Sequence, residues 1–196
     1  MWIPFGDWFG TQSNTGVSNT DTGEHNSNGT FAIKKQQRQT LNTTNSVSNK
    51  KRLPGFVLNT VIGEAVGEGI DGMQAVFNVM NNQAAFYKQP LENTVKTKYA
   101  AYKRRDLGKF VNRQPREVRD TVSVLLNSNP DDITNGALHF ENVQKYGIPK
   151  YAKQEGGIIP LAHIKNHLFF VTLREYNILV KNGKMKPGLE KTLIKG

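Results

Sequence analysis

Two glutamates, Glu64 and Glu68, stand four residues apart in Gly63-Glu64-Ala65-Val66-Gly67-Glu68-Gly69. A carboxyl group near the end of an apolar helix can serve as a general acid, because partial desolvation penalises its charged form and raises its pKa towards the working pH. Glu64 fits this description: Val57, Leu58, Val61 and Ile62 precede it on one apolar stripe. Glu68 shares roughly the same helical face, but the flanking glycines put it at or beyond the helix end. Most helical glutamates are simply solvated, so the spacing alone assigns no reaction. Other chemistries have less to draw on. With no cysteine in the chain, disulfides, thiolate metal sites and cysteine nucleophiles are excluded. Nucleophile-elbow and phosphate-loop motifs are absent. His163 and His167 have the i, i+4 spacing that suits a metal on a helix, yet Ile164-Lys165-Asn166 between them lacks the glutamate of the zinc-protease motif and no third ligand is evident. Neither a metal nor any other cofactor is expected.

The elements that would position these residues are legible in part. Val57 to Val66 reads as a first helix ending at Gly67 and Gly69. Asp71 reads as the N-cap of a second, whose buried face holds Ala75, Val76, Val79 and Met80, with Asn81 and Asn82 near its end. Short helices are expected around 92–105, and another with Pro115 as its first residue and Val118, Val122, Leu125 and Leu126 on one side. The period then changes. Asn135-Gly136 reads as a turn leading into a short strand over 137–140, His167 to Thr172 as a second strand, and Leu173 to Val180 as a closing helix. The fold class is α+β, mainly α, with a small β element and no internal repeat.

Residues 1–53 differ in kind. From Thr11 to Lys50 the chain is dominated by Asn, Ser, Thr and Gly with almost no apolar periodicity, so it reads as an extended low-complexity arm. Ahead of it Trp2, Ile3, Phe5, Trp8 and Phe9 form an apolar cluster, open to two readings: it folds back on the domain, or it docks to a larger assembly. The folded domain is placed at 54–175, with a basic C-terminal extension over 176–196. The formal charge is +10, and residues 1–50 hold four basic side chains against three acidic ones, so the excess belongs to the folded part. Such a domain attracts polyanions, and anionic cell-wall polymers qualify as well as nucleic acid does. No run approaches the roughly 20 apolar residues of a membrane span, and no secretory signal is evident at the N-terminus.

Three blocks in order resemble the spore-cortex-lytic (SleB-type) family of cell-wall hydrolases. The first is Gly63-Glu64-Ala65-Val66-Gly67-Glu68 with Gly72, Ala75-Val76 and Asn82-Gln83, where the family shows Gly-Glu-Ala-x-Gly-Glu, a later Gly, Ala-Val and an Asn-Arg pair. The second, Pro130-Asp131-Asp132-Ile133-Thr134-Asn135-Gly136-Ala137-Leu138-His139-Phe140, is similar to Pro-Asp-x-Thr-x-Gly-Ala-x-x-Phe. The third pairs Pro149-Lys150-Tyr151 with Pro-x-Trp, and Ile164-Lys165-Asn166-His167-Leu168-Phe169 with Ile-Gly-x-His-x-Phe. This chain departs from the family at Gln83 for arginine, Tyr151 for tryptophan and Glu141 where histidine is frequent.

The resemblance implies a lysozyme-like domain with a β wing around a groove for peptidoglycan. It implies a lytic transglycosylase or muramidase in which Glu64 protonates the glycosidic oxygen and then, as carboxylate, takes the proton of the muramoyl 6-hydroxyl. One carboxylate suffices for that route, whereas glycoside hydrolysis needs two; Glu68 is the candidate for the second. By the same resemblance Asn82, His139, Phe140, Tyr151 and His167 bind substrate. The absent secretory signal, the docking-like N-terminus and the polar arm favour a bacteriophage virion that opens the wall during DNA entry, its N-terminal 50 residues contacting other virion proteins, or else export to the wall by another route. Two alternatives come from other classes. Lys96 to Arg119 interleaves cations with Tyr99, Tyr102 and Phe110, as nucleic-acid-binding segments do; and a structural virion protein could keep a degenerate hydrolase fold.

Overall fold

The structure, a computed structural model, describes residues 52–196. All but the end of the expected arm, with its apolar docking segment, lies outside the described residues. The described chain is mainly helical with one three-stranded antiparallel sheet.

Helix α1 (Gly55–Ala65) buries Val57, Val61, Ile62 and Ala65. A 3-10 turn, Val66–Glu68, links it to α2 (Gly69–Phe86), which starts two residues before Asp71, so that Asp71 sits in the first turn rather than at the cap. Helix α2 is apolar on two sides. Met73, Val76, Phe77 and Met80 pack with α1 and the following helices, while Ala75 and Val79 pack against Ala137 and Phe169 of the sheet region. A helix buried on both sides is the natural centre of such a fold, and α2 separates a helical layer from the sheet.

The segment expected to hold short helices forms α3 (Leu91–Lys98), a 3-10 turn at Ala101–Lys103 and α4 (Leu107–Asn112). Helix α5 (Arg116–Asn127) comes next, with Pro115 at its N-cap rather than as its first residue, a position where a residue without an N–H likewise costs no hydrogen bond. Asn135 and Gly136 both take positive φ, 56° and 86°, and deliver the chain into β1 (His139–Glu141). The strand therefore begins two residues later than its apolar run, because Ala137 and Leu138 are buried in the approach to it.

Short helices α6 (Val143–Tyr146) and α7 (Lys150–Gln154) lead to β2 (Ile158–Ile164), a strand that the sequence pattern did not reveal. Its alternation is broken by Pro160 and a register shift between Pro160 and Ala162, features tolerated at a sheet edge. Strand β3 (His167–Thr172) lies at the centre of the order β1-β3-β2 and buries every residue from Leu168 to Thr172. Helix α8 (Leu173–Lys181) opens with a capping box between Thr172 and Glu175.

The domain boundary expected after residue 175 falls inside α8, and residues 176–196 belong to the domain. Tyr176 is buried, Leu189 and Leu193 pack on the cluster of Leu138, Ile159 and Val171, and Ile194 exchanges backbone hydrogen bonds with Ile158. The extension is basic by composition but is held by its apolar residues.

Candidate active site

Glu64 sits in the last turn of α1, and Gly63 before it lets another segment come close. A Cβ on Gly63 would lie 2.6 Å from Leu107 Cδ1 and 2.9 Å from Ala101 Cβ, so only glycine permits this approach. The approach brings the Ala101 N–H to donate to Glu64 Oε1 at 2.7 Å. Glu64 Oε2 has no hydrogen bond among the described residues. The carboxyl group lines a cavity of about 340 Å³, walled by the α3 end and the residues after it (Lys98, Tyr99, Ala100), by Gln83 of α2, by His139, Phe140 and Glu141 of β1 and by His167 of β3.

Two of these walls carry buried polar atoms without a partner among the described residues, Gln83 Oε1 and the Tyr99 hydroxyl. Gln83 is 7% and Tyr99 5% exposed, a burial at which an unmet hydrogen bond is costly. The amide orientation is fixed, since Gln83 Nε2 donates to the Leu138 carbonyl at 2.6 Å and its oxygen must point away. Burial, then the nearby Glu64 charge, pushes the Tyr99 phenol above its ordinary pKa, so it stays a donor. Its ring stacks on Phe140 at 6.4 Å. An acceptor, a hydroxyl and a carboxyl oxygen thus share one cavity with no described residue to satisfy them, as in a site for a ligand rich in hydroxyl and amide groups.

His139 is held from both sides. Its Nε2 lies 2.9 Å from each carboxylate oxygen of Glu175 and its Nδ1 3.2 Å from the Tyr151 hydroxyl. Glu175 is 5% exposed; desolvation opposes its charge, but His139 and the N–H and hydroxyl of Thr172 outweigh this and hold its pKa below the ordinary value. The carboxylate therefore requires a proton on His139 Nε2. Burial, then the Glu175 charge, pushes Tyr151 above the usual phenol range, so Tyr151 remains protonated and donates to the imidazole. Tyr87, pushed up to about 12 first by burial and then by Glu175, donates to Glu175 Oε1 at 3.3 Å.

Of the other expected site residues, His139, Phe140 and His167 line the cavity with Glu64, and Tyr151 touches His139 at its border. Asn82 does not line it. Its Nδ2 donates to Asp132 Oδ2 (2.9 Å) and to the Ala137 carbonyl (3.1 Å), while Asp132 also accepts from the backbone N–H groups of Thr134 and Gly136. Asn82 and the Asp132 to Gly136 block thus clasp the loop that launches β1. Glu68 is also absent from the lining. It accepts from the Asn166 N–H at 3.0 Å and lies 3.7 Å from His167 Nδ1. Desolvation would raise its pKa, but the Asn166 backbone and side-chain N–H groups, with the charges of His167 and Lys165, hold it below the ordinary value.

His163 and His167 belong to a β-hairpin, with His163 opposite Leu168 and Ile164 opposite His167, so the helical i, i+4 geometry of a metal pair does not arise. Among the described residues no helix is long and apolar enough to cross a membrane. Sequence reasoning missed Tyr99 and Glu175 as site residues and read Gln83 and Glu141 only as departures from a family pattern. The Thr172-x-x-Glu175 capping box was a usable local signal, but nothing local announces that its carboxylate also holds His139. Compared with protein-family models, with curated proteins and with solved structures, the chain finds no match.

Proposed function

We propose that this chain cleaves the glycan strands of peptidoglycan, with Glu64 as the general acid. The observation that carries the reading is the state of the Glu64 carboxyl: one oxygen is fixed by the Ala101 N–H, and the other is unbonded beside a cavity holding an unsatisfied amide oxygen and an unsatisfied phenol. A carboxyl fixed through one oxygen presents the other to a glycosidic oxygen in the cavity, and Gln83 Oε1 and the Tyr99 hydroxyl can take up the hydroxyl and acetamido groups of the sugars beside it. The two-layer arrangement, helices with a small sheet and the carboxyl between them, supports a lysozyme-like reading of the domain. The order of the three sequence blocks supports the cell-wall family, and a virion carrying the enzyme to the wall is the setting we favour.

Glu64→Gln keeps the shape and removes the acid. On purified murein it is expected to lose about 100-fold or more of the rate of muropeptide release, with an unchanged thermal midpoint, since the Ala101 N–H can still be accepted. Unchanged release by the variant removes Glu64 from the mechanism. Inactivity of the unmodified protein favours the structural-protein alternative.

The aromatic rings behind the nucleic-acid alternative make contacts within the protein. Tyr99 is buried, Tyr102 packs edge-on against Phe56, and the Phe110 ring is covered by Arg104 at 4.7 Å. The exposed cations of Lys96 to Arg119 remain, and they serve to draw the domain to an anionic wall.

A further inference from the structure

The cavity contains a second carboxyl group. Glu141, the last residue of β1, faces the same space as Glu64, and the two arrive from unrelated elements. They are held alike. Glu64 Oε1 accepts from the Ala101 N–H at 2.7 Å and Glu141 Oε1 from the Asn142 N–H at 2.8 Å, and each second oxygen has no hydrogen bond among the described residues.

The other titratable groups of the cavity are placed differently. His139 has both ring nitrogens engaged, by Glu175 and Tyr151. Lys98 lies with its Nζ 3.8 Å from the centre of the Tyr87 ring. His167 leans towards Glu68, 3.7 Å away, and Glu68 itself is bonded to Asn166 outside the cavity. The Tyr99 phenol is kept protonated by burial and by Glu64. Glu141 is the second carboxyl group of the lining, with one oxygen that no described residue satisfies.

Resting on the peptidoglycan reading above, we infer that Glu141 is the general base of a hydrolytic, rather than a transglycosylating, reaction. Glu64 gives its proton to the glycosidic oxygen as the C1–O bond breaks. A water oxygen bonds to C1, and the proton it sheds goes to Glu141. One water is consumed, the products carry a reducing end and a free hydroxyl, and the protons of Glu64 and Glu141 are reset by exchange with solvent. Hydrolysis of this kind draws on two carboxyl groups, whereas intramolecular ring closure needs one.

The test is a digest of purified murein by the full chain in H2 18O, with products analysed by mass spectrometry. Reducing ends carrying 18O and an absence of 1,6-anhydro ends are expected. Glu141→Gln should lower the rate by about 100-fold or more with the thermal midpoint kept, and Glu141→Ala should regain rate with added azide, which attacks C1 without needing a base and leaves a glycosyl azide. Products ending only in 1,6-anhydro rings, or a Glu141→Gln protein as fast as the unmodified one, overturn the inference while leaving Glu64 and the glycan reading in place. Failure of the unmodified protein to cut murein removes both.

Discussion

Glu175 shows how much one side chain can organise. It caps α8, accepts from Tyr87 and fixes the tautomer of His139 on the cavity wall. Its pKa in the fold lies below its unfolded value, so the stabilisation is fully present above the unfolded value and is lost as pH falls through the folded one. The unfolding midpoint of the protein should therefore drop below about pH 4. Glu175→Gln should destabilise by about 1–3 kcal/mol at neutral pH, since an amide cannot accept from all these donors, and should flatten the acid limb of the stability profile. Denaturant titrations across pH measure both, and an acid limb identical in the two proteins would mean that Glu175 is not the titrating group. Glu64 and Glu141 differ from Glu175 in kind: each has an oxygen that no described residue satisfies, and on that difference the division between chemistry and structure rests.

At the scale of elements, the site exists because α1 and the Ala101–Lys103 turn touch. Gly63 is the condition for that contact. Gly63→Ala pushes a methyl group into Leu107 and Ala101, an overpacking expected to cost about 1–3 kcal/mol and to withdraw the Ala101 N–H from Glu64. Urea unfolding should show the loss of stability, and murein assays should show a loss of rate larger than any unfolded fraction accounts for; full activity in a folded Gly63→Ala protein would show that the Ala101 contact is dispensable. The Asn82 and Asp132 clasp acts in the same way on the other wall, since it fixes where β1 begins and so where His139 and Glu141 stand. Asn82 thus reaches the cavity through a loop, not through a ligand.

For the whole domain, the residues after α8 are the least expected part of the core. Removing residues 185–196 strips Leu189 and Leu193 from the cluster around Ile159 and the Ile194 pairing from β2. The loss should be at least about 3 kcal/mol, the scale of deleting one or two buried leucines, read as a lowered thermal midpoint. A truncated protein as stable as the full chain would return these residues to the status of a tail.

What the sequence determined by itself was whatever depends on neighbours a few residues apart. The apolar stripes of α1, α2 and α5, the Asn135-Gly136 turn, strand β3 and helix α8 arise from periodicity and local backbone preference, and Glu64 stood out because helix end and glycines flank it in sequence. Strand β2 escaped because Pro160 and a bulge break its alternation, which a sheet edge tolerates only once the rest of the sheet is in place. The tertiary structure alone decided that Glu68 turns to Asn166 while Glu141 turns to the cavity, that Tyr99 lies inside although cations surround it in sequence, and that Glu175 meets His139. Each of those pairings joins residues dozens of positions apart, and distance through space between such residues is fixed by packing, which no local pattern encodes.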